Sequence, residues 1–353
     1  MGIIKTEFTK KGNDIMKAVV STAQGIENVK ILDVPEPKKL KENEVKVAIK
    51  AVGINQRDII NFKDYSRWNR QNPIPGCDGA GEVIEVGEAV TKWKVGDKVI
   101  TSNYAMWIDG PLTPEKEAQN LDLCYTCDGC MCEYFVMHEN ALVKMPEHLS
   151  YEEAAVLPCT GVTAFNALFH AGGLQPGQTV LLLGTGGVSI FALKFAKAAG
   201  AKVIITGVND EVLARAKECG ADACINFMEN PEWHKNVLGL TGGKGVDLVV
   251  ETIGKQTFNQ SMISTKQNGT ISVTGFVSGI SGEVIIAMIT QKCLKLQGFR
   301  VGSTEHMNQM VQLIENQKIH PELDSVYDLK DIQEAYRRLD SGLVFGKIAV
   351  RMN

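Results

Sequence analysis

The sequence predicts an α/β protein with a β-barrel-like first half and a doubly wound parallel sheet in the second half. Three observations carry this. Short β-rich runs separated by glycine turns fill the first half, and apolar strands alternate with helical stretches in the second. A glycine-rich turn, Gly184-Thr185-Gly186-Gly187-Val188-Ser189, then stands between an expected strand and an expected helix. At about 150 residues per domain, 353 residues correspond to roughly two domains. With 44% hydrophobic and 22% charged residues, the composition is that of an ordinary globular chain and argues against long disorder.

Residues 1–15 read as an N-terminal extension. They carry Lys5, Lys10 and Lys11 but no apolar block of the secretory type, and the fold is expected to begin at Met16. Strands are expected at residues 17–20, 44–51, 80–86 and 98–101. At Ser150 the pattern changes: Ser150 followed three residues later by Glu153 is a capping-box start, and an Ala-rich helix follows. The first domain is therefore placed at residues 16–149. The apolar run at 180–183, the glycine turn, a helix at 189–199 and a second apolar run at 202–206 make a βαβ unit. A helix at 210–218 closed by Gly220, strands at 223–226 and 246–251, and further strands at 270–274 and 295–299 continue the alternation. This second domain is placed at residues 150–300. Residues 301–353 hold one or two helices and a last strand at 347–351.

Charge and composition narrow the function classes. Thirty-seven basic and 41 acidic residues leave a net charge of −4 with no run of like charges to follow a phosphate backbone, so nucleic acid is not an expected partner. Apolar runs fall far below the roughly 18 residues of a spanning helix, so no membrane is expected either. Nine cysteines, an odd number, cannot form a complete disulfide framework and point to a reducing compartment, the cytoplasm.

In the glycine turn, Gly184 would permit the tight bend and Gly186 would let the backbone approach a diphosphate. The N–H groups that open the next helix would hold its charge. Ser189 stands where the fingerprint has its third glycine. NAD binding would place an acidic residue about 20 positions on, at the end of the second strand. Thr206-Gly207-Val208-Asn209 stands there instead, so NADP(H) is favoured over NAD(H). Asp210 reads as the N-cap of the following helix, and a 2′-phosphate would rely on hydroxyls, backbone donors or Arg215. Gly-Lys pairs at 243–244 and 346–347 lack the spacing and the Ser or Thr of a P-loop.

Several separated motifs then act together: Gly53-Ile54-Asn55-Gln56-Arg57-Asp58, Pro75-Gly76-Cys77-Asp78-Gly79-Ala80-Gly81-Glu82-Val83, Val95-Gly96-Asp97-Lys98-Val99, Leu157-Pro158-Cys159-Thr160-Gly161-Val162-Thr163-Ala164, the glycine turn, and Phe345-Gly346-Lys347. Over residues 16–352 the chain resembles the medium-chain dehydrogenase/reductase superfamily, in its zinc-lacking alcohol dehydrogenase-like and quinone oxidoreductase-like branch. The resemblance implies a GroES-like catalytic domain, a Rossmann NADP(H)-binding domain and a C-terminal return to the catalytic domain. It implies an NADP(H)-dependent oxidoreductase that moves a hydride between nicotinamide and an alcohol/carbonyl, enone or quinone, and a homodimer formed through the Rossmann sheet. By resemblance, Asn55, Arg57 and Asp58 are the catalytic candidates lining the nicotinamide side of the cleft, with Asn55 and Thr163 facing the cofactor. Gly184, Thr185, Gly186, Gly187, Val188 and Ser189 would hold the pyrophosphate, and Thr206, Gly207 and Val208 the adenosine ribose. Thr252, Ile253 and Gly254, then Gly275, Phe276 and Val277, follow two later strands. Phe299, Arg300, Val301, Gly346 and Lys347 complete the cofactor cleft.

Zinc-dependent relatives place ligands at positions matching Asn55, Cys77 and Cys159, with an acidic neighbour matching Asp78. Catalytic zinc needs three good protein ligands and Asn is a poor one, so no metal is expected there, and carbonyl polarisation would fall to hydrogen bonds. The spacing of Cys124, Cys127, Cys130 and Cys132 allows a structural zinc site or redox-active thiols, with Cys130 and Cys132 sharing one face of a strand. The six histidines, His138, His148, His170, His234, His306 and His320, show no ligand spacing. Asp58 is expected to orient Arg57 or to take part in proton transfer. Tyr104 and Trp107, in the loop 102–120, are expected to cover the substrate. The competing class is a non-catalytic NADPH-binding redox sensor that uses the Cys124 to Cys132 cluster.

Overall fold

The computed structural model describes residues 15–68, 70–119 and 122–352. The expected extension lies outside these residues except for Ile15, which opens the first strand, Ile15–Ser21. The first-half strands fall where alternating apolar runs place them, at Glu44–Gly53, Asp78–Val86 and Lys98–Thr101. They form a seven-stranded sheet whose order runs Leu323–Asp328, Lys347–Arg351, Glu44–Gly53, Asp78–Val86, Lys98–Thr101 and Leu142–Lys144, with Tyr134–His138 also paired to Glu44–Gly53. The last strands of the chain thus belong to the first sheet. Ala349 pairs antiparallel with Gly53, which carries Lys347 to the foot of the motif that follows Gly53.

The second sheet has six parallel strands in the order Ala223–Asn226, Lys202–Gly207, Thr179–Leu182, Val246–Glu251, Thr265–Val273 and Lys295–Gly298. Numbered along the chain, this is 3-2-1-4-5-6, the doubly wound order with its switch point beside the first strand. Ligands bind outside the carboxyl ends of strands at such a point, and the glycine turn leaves that strand there. The central strands Thr179–Leu182, Lys202–Gly207 and Val246–Glu251 are mostly apolar runs because helices cover both faces: Leu182 and Val203 pack into one core, Leu181 and Ile204 into another. The expected capping box is present, with Ser150 Oγ accepting from Glu153 N at 3.2 Å and Glu153 Oε2 from Ser150 N at 2.8 Å.

Two expectations are corrected. The cap of the helix Asp210–Glu218 is Asn209, not Asp210. Asn209 is extended, with φ −157° and ψ 168°, and its Oδ1 accepts from Val212 N at 3.0 Å, whereas Asp210 is already helical and accepts from Asn226 Nδ2. Cys130 and Cys132 do not lie on a named strand: Cys132 N bonds Cys130 O at 2.8 Å, a tight bend between them. No helix among the described residues is long and apolar enough to cross a membrane.

Candidate active site

The glycine turn is built as its spacing requires. Gly184 has φ +74°, a region L side chains rarely adopt, and the space where a Cβ would stand at Gly184 and Gly186 is open. Gly187 begins the helix Gly187–Ala198, whose first N–H groups have no carbonyl one turn back within the helix, the arrangement that favours an anion at a helix start. Ser189 Oγ donates to Leu183 O at 2.7 Å, so the hydroxyl ties helix to strand where the fingerprint normally relies on a glycine. Thr206 Oγ1 accepts from Gly184 N at 3.0 Å, bracing the turn from the second strand. Gly346 N donates to Thr185 O at 3.0 Å, bringing the C-terminal segment across the turn. Arg215 lies over the Phe345 ring, 4.1 Å from its centroid.

The two later loops lie at the carboxyl ends of neighbouring strands. Thr252 Oγ1 donates to Leu183 O at 3.4 Å, and a Cβ on Gly275 would lie 1.7 Å from Thr252 O, so only glycine lets the two loops meet. Phe276 and Val277 are exposed. Two residues that the sequence reading missed hold these loops. Glu251 is fully buried, and its Oε1 accepts from Ile253 N, Gly254 N and Thr257 Oγ1 at 2.8–2.9 Å while Oε2 accepts from Ser261 Oγ at 2.5 Å. Asn166 Nδ2 donates to Arg300 O and Val301 O at 3.3 and 3.0 Å, fixing the segment that follows Phe299. A Glu at the end of an apolar strand was the available signal for Glu251. For Asn166 there was none.

Across the cleft, Asn55 precedes the short helix Gln56–Lys63, and Asp58 Oδ2 accepts from Asn55 N at 2.9 Å. Asp58 therefore does not orient Arg57. Its carboxylate is turned back to cap its own helix, and Arg57 bonds Asn103 Oδ1 at 2.9 Å and Asp122 Oδ1 at 2.7 Å. Burial pushes the Asp58 carboxyl up to about 6 against the opposing pull of the Asn55 N–H and of Arg57. Thr163 Oγ1 donates to Cys159 O at 2.7 Å. Tyr104 and Trp107 are buried, and their loop is pinned by Thr304 N and Glu305 N bonding Trp107 O and Ile108 O. A cavity of about 860 Å³ lies between this loop and the segment at Phe299 and Arg300, with Asn166, His170 and His306 in its wall.

Among the described residues, the one group of metal-type donors is Cys77, Asp78 and Cys159, whose ligand atoms lie within 4.8 Å of one another. The structural zinc site that the spacing of Cys124, Cys127, Cys130 and Cys132 allows is not assembled. Cys124 Sγ faces Asp58 and Cys77, Cys127 Sγ faces Asp122 O, Cys132 Sγ faces Tyr134 O, and Cys130 Sγ packs against Gly79. At the Cys77 group, the third position is Asn55, and both polar atoms of its amide are engaged: Nδ2 points at Cys77 Sγ, 3.6 Å away, and Oδ1 accepts from Lys347 Nζ at 2.6 Å. Lys347 Nζ also donates to Ile54 O at 2.7 Å and lies 3.7 Å from Asp78 Oδ2. Lys347 thus reaches the thiol group with its ammonium, while its stem passes the start of the glycine-turn helix at Gly187. With a neutral amide at one corner and a cation against the carboxylate, these residues do not fit a catalytic zinc ion.

Residues 41–147 match the family profile described as "Alcohol dehydrogenase GroES-like domain" and residues 187–316 the one described as "Zinc-binding dehydrogenase". The chain is 40% identical over 336 residues to a zinc-type alcohol dehydrogenase-like protein of Schizosaccharomyces pombe (strain 972), covering 93% of this chain and 96% of that one. The solved structure of an NAD-dependent alcohol dehydrogenase superposes with a TM-score of 0.87 at 31% identity, covering 95% of this chain and 99% of that chain. The quinone oxidoreductase of Pseudomonas syringae pv. Tomato DC3000 gives 0.79 at 28% identity, with 95% and 99% covered.

Proposed function

This chain belongs to the medium-chain dehydrogenase/reductase superfamily, in its alcohol dehydrogenase-like branch, and from that premise we propose that it is an NADP(H)-dependent oxidoreductase acting on a small hydrophobic carbonyl/alcohol pair, enone or quinone. The observation that carries the reading is the open, braced glycine turn at the switch point of the parallel sheet, joined to Asn55 by Lys347, whose stem lies against Gly187 and whose ammonium meets Asn55 Oδ1. When bound, a nicotinamide dinucleotide supplies the hydride. Gly184 to Ser189 would grip its diphosphate with backbone N–H groups, and Thr206, Gly207 and Val208 would face its ribose without a carboxylate at the strand end. The absence of that negative charge from Gly207 supports NADP(H) over NAD(H). Glu251 and Asn166 hold the loops after Glu251 and Phe299 that would border the nicotinamide. Asn55 Nδ2, on an amide whose oxygen is held by Lys347, is the polar group best placed to donate to a substrate oxygen, and no step needs a metal.

Residues 16–149 serve as the catalytic domain, 150–300 as the dinucleotide-binding domain, and 301–353 as the return. The edge strand Lys295–Gly298 is exposed along its length beside exposed Phe276, Val277, Ile280 and Ile286, which supports a second copy of the chain adding to this edge as a homodimer. Nine free thiols support a reducing, cytoplasmic setting. The test is NADPH consumption with a panel of quinones, enals and ketones, together with the dinucleotide affinity. Turnover with at least one class is expected. Tight NADPH binding with no turnover across the panel would favour the redox-sensor reading instead.

A further inference from the structure

We propose that the Lys347 ammonium takes, from within the protein, the place of a divalent ion beside Cys77, Asp78 and Cys159, and that its charge keeps such an ion out. The inference rests on the reading of this cleft as the active site. Two thiols and a carboxylate within 4.8 Å of one another are by chemistry a zinc-type donor set. What distinguishes the set here is a closed ring. Lys347 Nζ donates to Asn55 Oδ1 at 2.6 Å, Asn55 Nδ2 points at Cys77 Sγ at 3.6 Å, Cys77 Sγ donates to Asp78 Oδ1 at 3.0 Å, and Asp78 Oδ2 returns to Lys347 Nζ at 3.7 Å.

Lys347 and Asp78 are both buried and oppositely charged, and the Arg57 guanidinium adds a further positive charge that acts on Cys77 and Cys159. A divalent ion entering it would meet a like charge in low dielectric and find its only carboxylate matched. Asn55 cannot become a ligand while its oxygen takes the ammonium. The ammonium itself cannot swing away: its strand is paired with Glu44–Gly53 through Ala349 and Gly53, its stem lies against Gly187, and Ile54 O holds its head at 2.7 Å. Asp78 Oδ2 is buried without a hydrogen-bond donor and feels the cation only across 3.7 Å. It is therefore the atom that a metal would claim once the cation is removed. Lys347 is on this account a positioning residue: it fixes the Asn55 amide and substitutes a permanent single charge for an exchangeable ion.

The test is metal uptake by the full chain. Wild type, Lys347→Met, Lys347→Gln and Lys347→Arg are incubated with excess cobalt(II) chloride, desalted, and read for cobalt content and for the near-ultraviolet absorption of thiolate-bound cobalt. Wild type and Lys347→Arg should retain less than about 0.1 equivalent, and the Met and Gln variants about one, with affinity raised roughly 100-fold. Adding Cys159→Ser should abolish the gained band. The Gln variant keeps a neutral polar head on a similar stem, so it reads the charge even if the Met variant fails to fold. Wild type that takes up an equivalent removed by Cys159→Ser overturns the proposal. So do neutral variants that fold yet bind none, or an Arg variant that binds as they do. None of these readouts needs turnover, so a failed cobalt experiment leaves the hydride-transfer reading standing. A chain without oxidoreductase activity that behaves as expected with cobalt would sink only the latter.

Discussion

Ser189 Oγ donates to the carbonyl of Leu183 across the glycine turn, at 2.7 Å. The bond explains how a residue with a side chain occupies a position that serves close helix–strand packing. Ser189→Ala should leave the buried carbonyl without this donor and lower stability by about 1–2 kcal/mol. The same change should raise the dinucleotide dissociation constant several-fold, because the turn loses one of its braces. Chemical denaturation and fluorescence titration with NADPH measure the two effects. An unchanged protein in both would mean that the hydroxyl has no bracing role.

Glu251 gathers four donors onto one buried carboxylate. Glu251→Ala would leave two N–H groups and two hydroxyls without their acceptor, at a cost of about 3 kcal/mol or more. Glu251→Gln keeps an acceptor oxygen and should fall between the two. If the Thr252 to Gly254 loop borders the nicotinamide, the Gln variant should raise KM for the dinucleotide more than it lowers kcat. Steady-state kinetics beside thermal melts separate this from simple destabilisation.

Asp58 gives the site a pH signature. Its folded value, about 6, stands above the ordinary 3.8, so between those values the folded state still holds a proton that the unfolded chain has released. Stability from this group is therefore lost as pH rises through that window and is flat above it, by about 3 kcal/mol in all. Asp58→Asn keeps an acceptor for the Asn55 N–H and removes the titration. The variant should gain on wild type by that amount from about pH 4 to about pH 7 in urea denaturation. A constant difference across the range would contradict the burial argument.

If the chain prefers NADP(H), that preference should turn on Gly207. Wild type should bind NADPH at least about tenfold more tightly than NADH, and Gly207→Asp should reverse the order by placing a carboxylate against the 2′-phosphate. A Cβ at this position would lie 2.7 Å from Leu213 Cδ2, 3.0 Å from Leu213 Cγ and 3.3 Å from Val212 Cγ2, so these side chains must shift to admit it, and a thermal melt of the variant checks that it folds. Comparable affinities for both dinucleotides in wild type would defeat the NADP(H) reading.

Local patterns in the chain were enough for the sheets and for the glycine turn, because apolar runs, caps and turn glycines act over a few residues. Strands at Lys98–Thr101, Ala223–Asn226, Val246–Glu251 and Lys347–Arg351 lie where those patterns put them. What sequence could not show was partnership at a distance. Asp58 reads as a partner for Arg57 because the two are adjacent, yet its backbone cap is nearer and Arg57 finds Asp122, 65 residues on. The four cysteines from Cys124 to Cys132 read as one site because they are close in sequence, yet each thiol meets a different neighbour: Asp58, Asp122 O, Gly79 and Tyr134 O. Lys347 is expected at the cofactor cleft, but nothing local shows that its ammonium meets Asn55, 292 residues away. Asn166 carried no pattern, since an amide gains meaning only from the two carbonyls it meets.

The bond from Gly346 to Thr185, together with the pairing of Ala349 with Gly53, bears on the order of assembly. During synthesis, residues 346–351 leave the ribosome after both sheets have otherwise been supplied with strands. Until they dock, the first sheet lacks the strand beside Glu44–Gly53 and the nucleotide turn lacks its cross-strap. A nascent chain should thus remain unable to retain dinucleotide until the two lobes are stitched by this late segment, and ligand capture should report the final stage of folding rather than an early one.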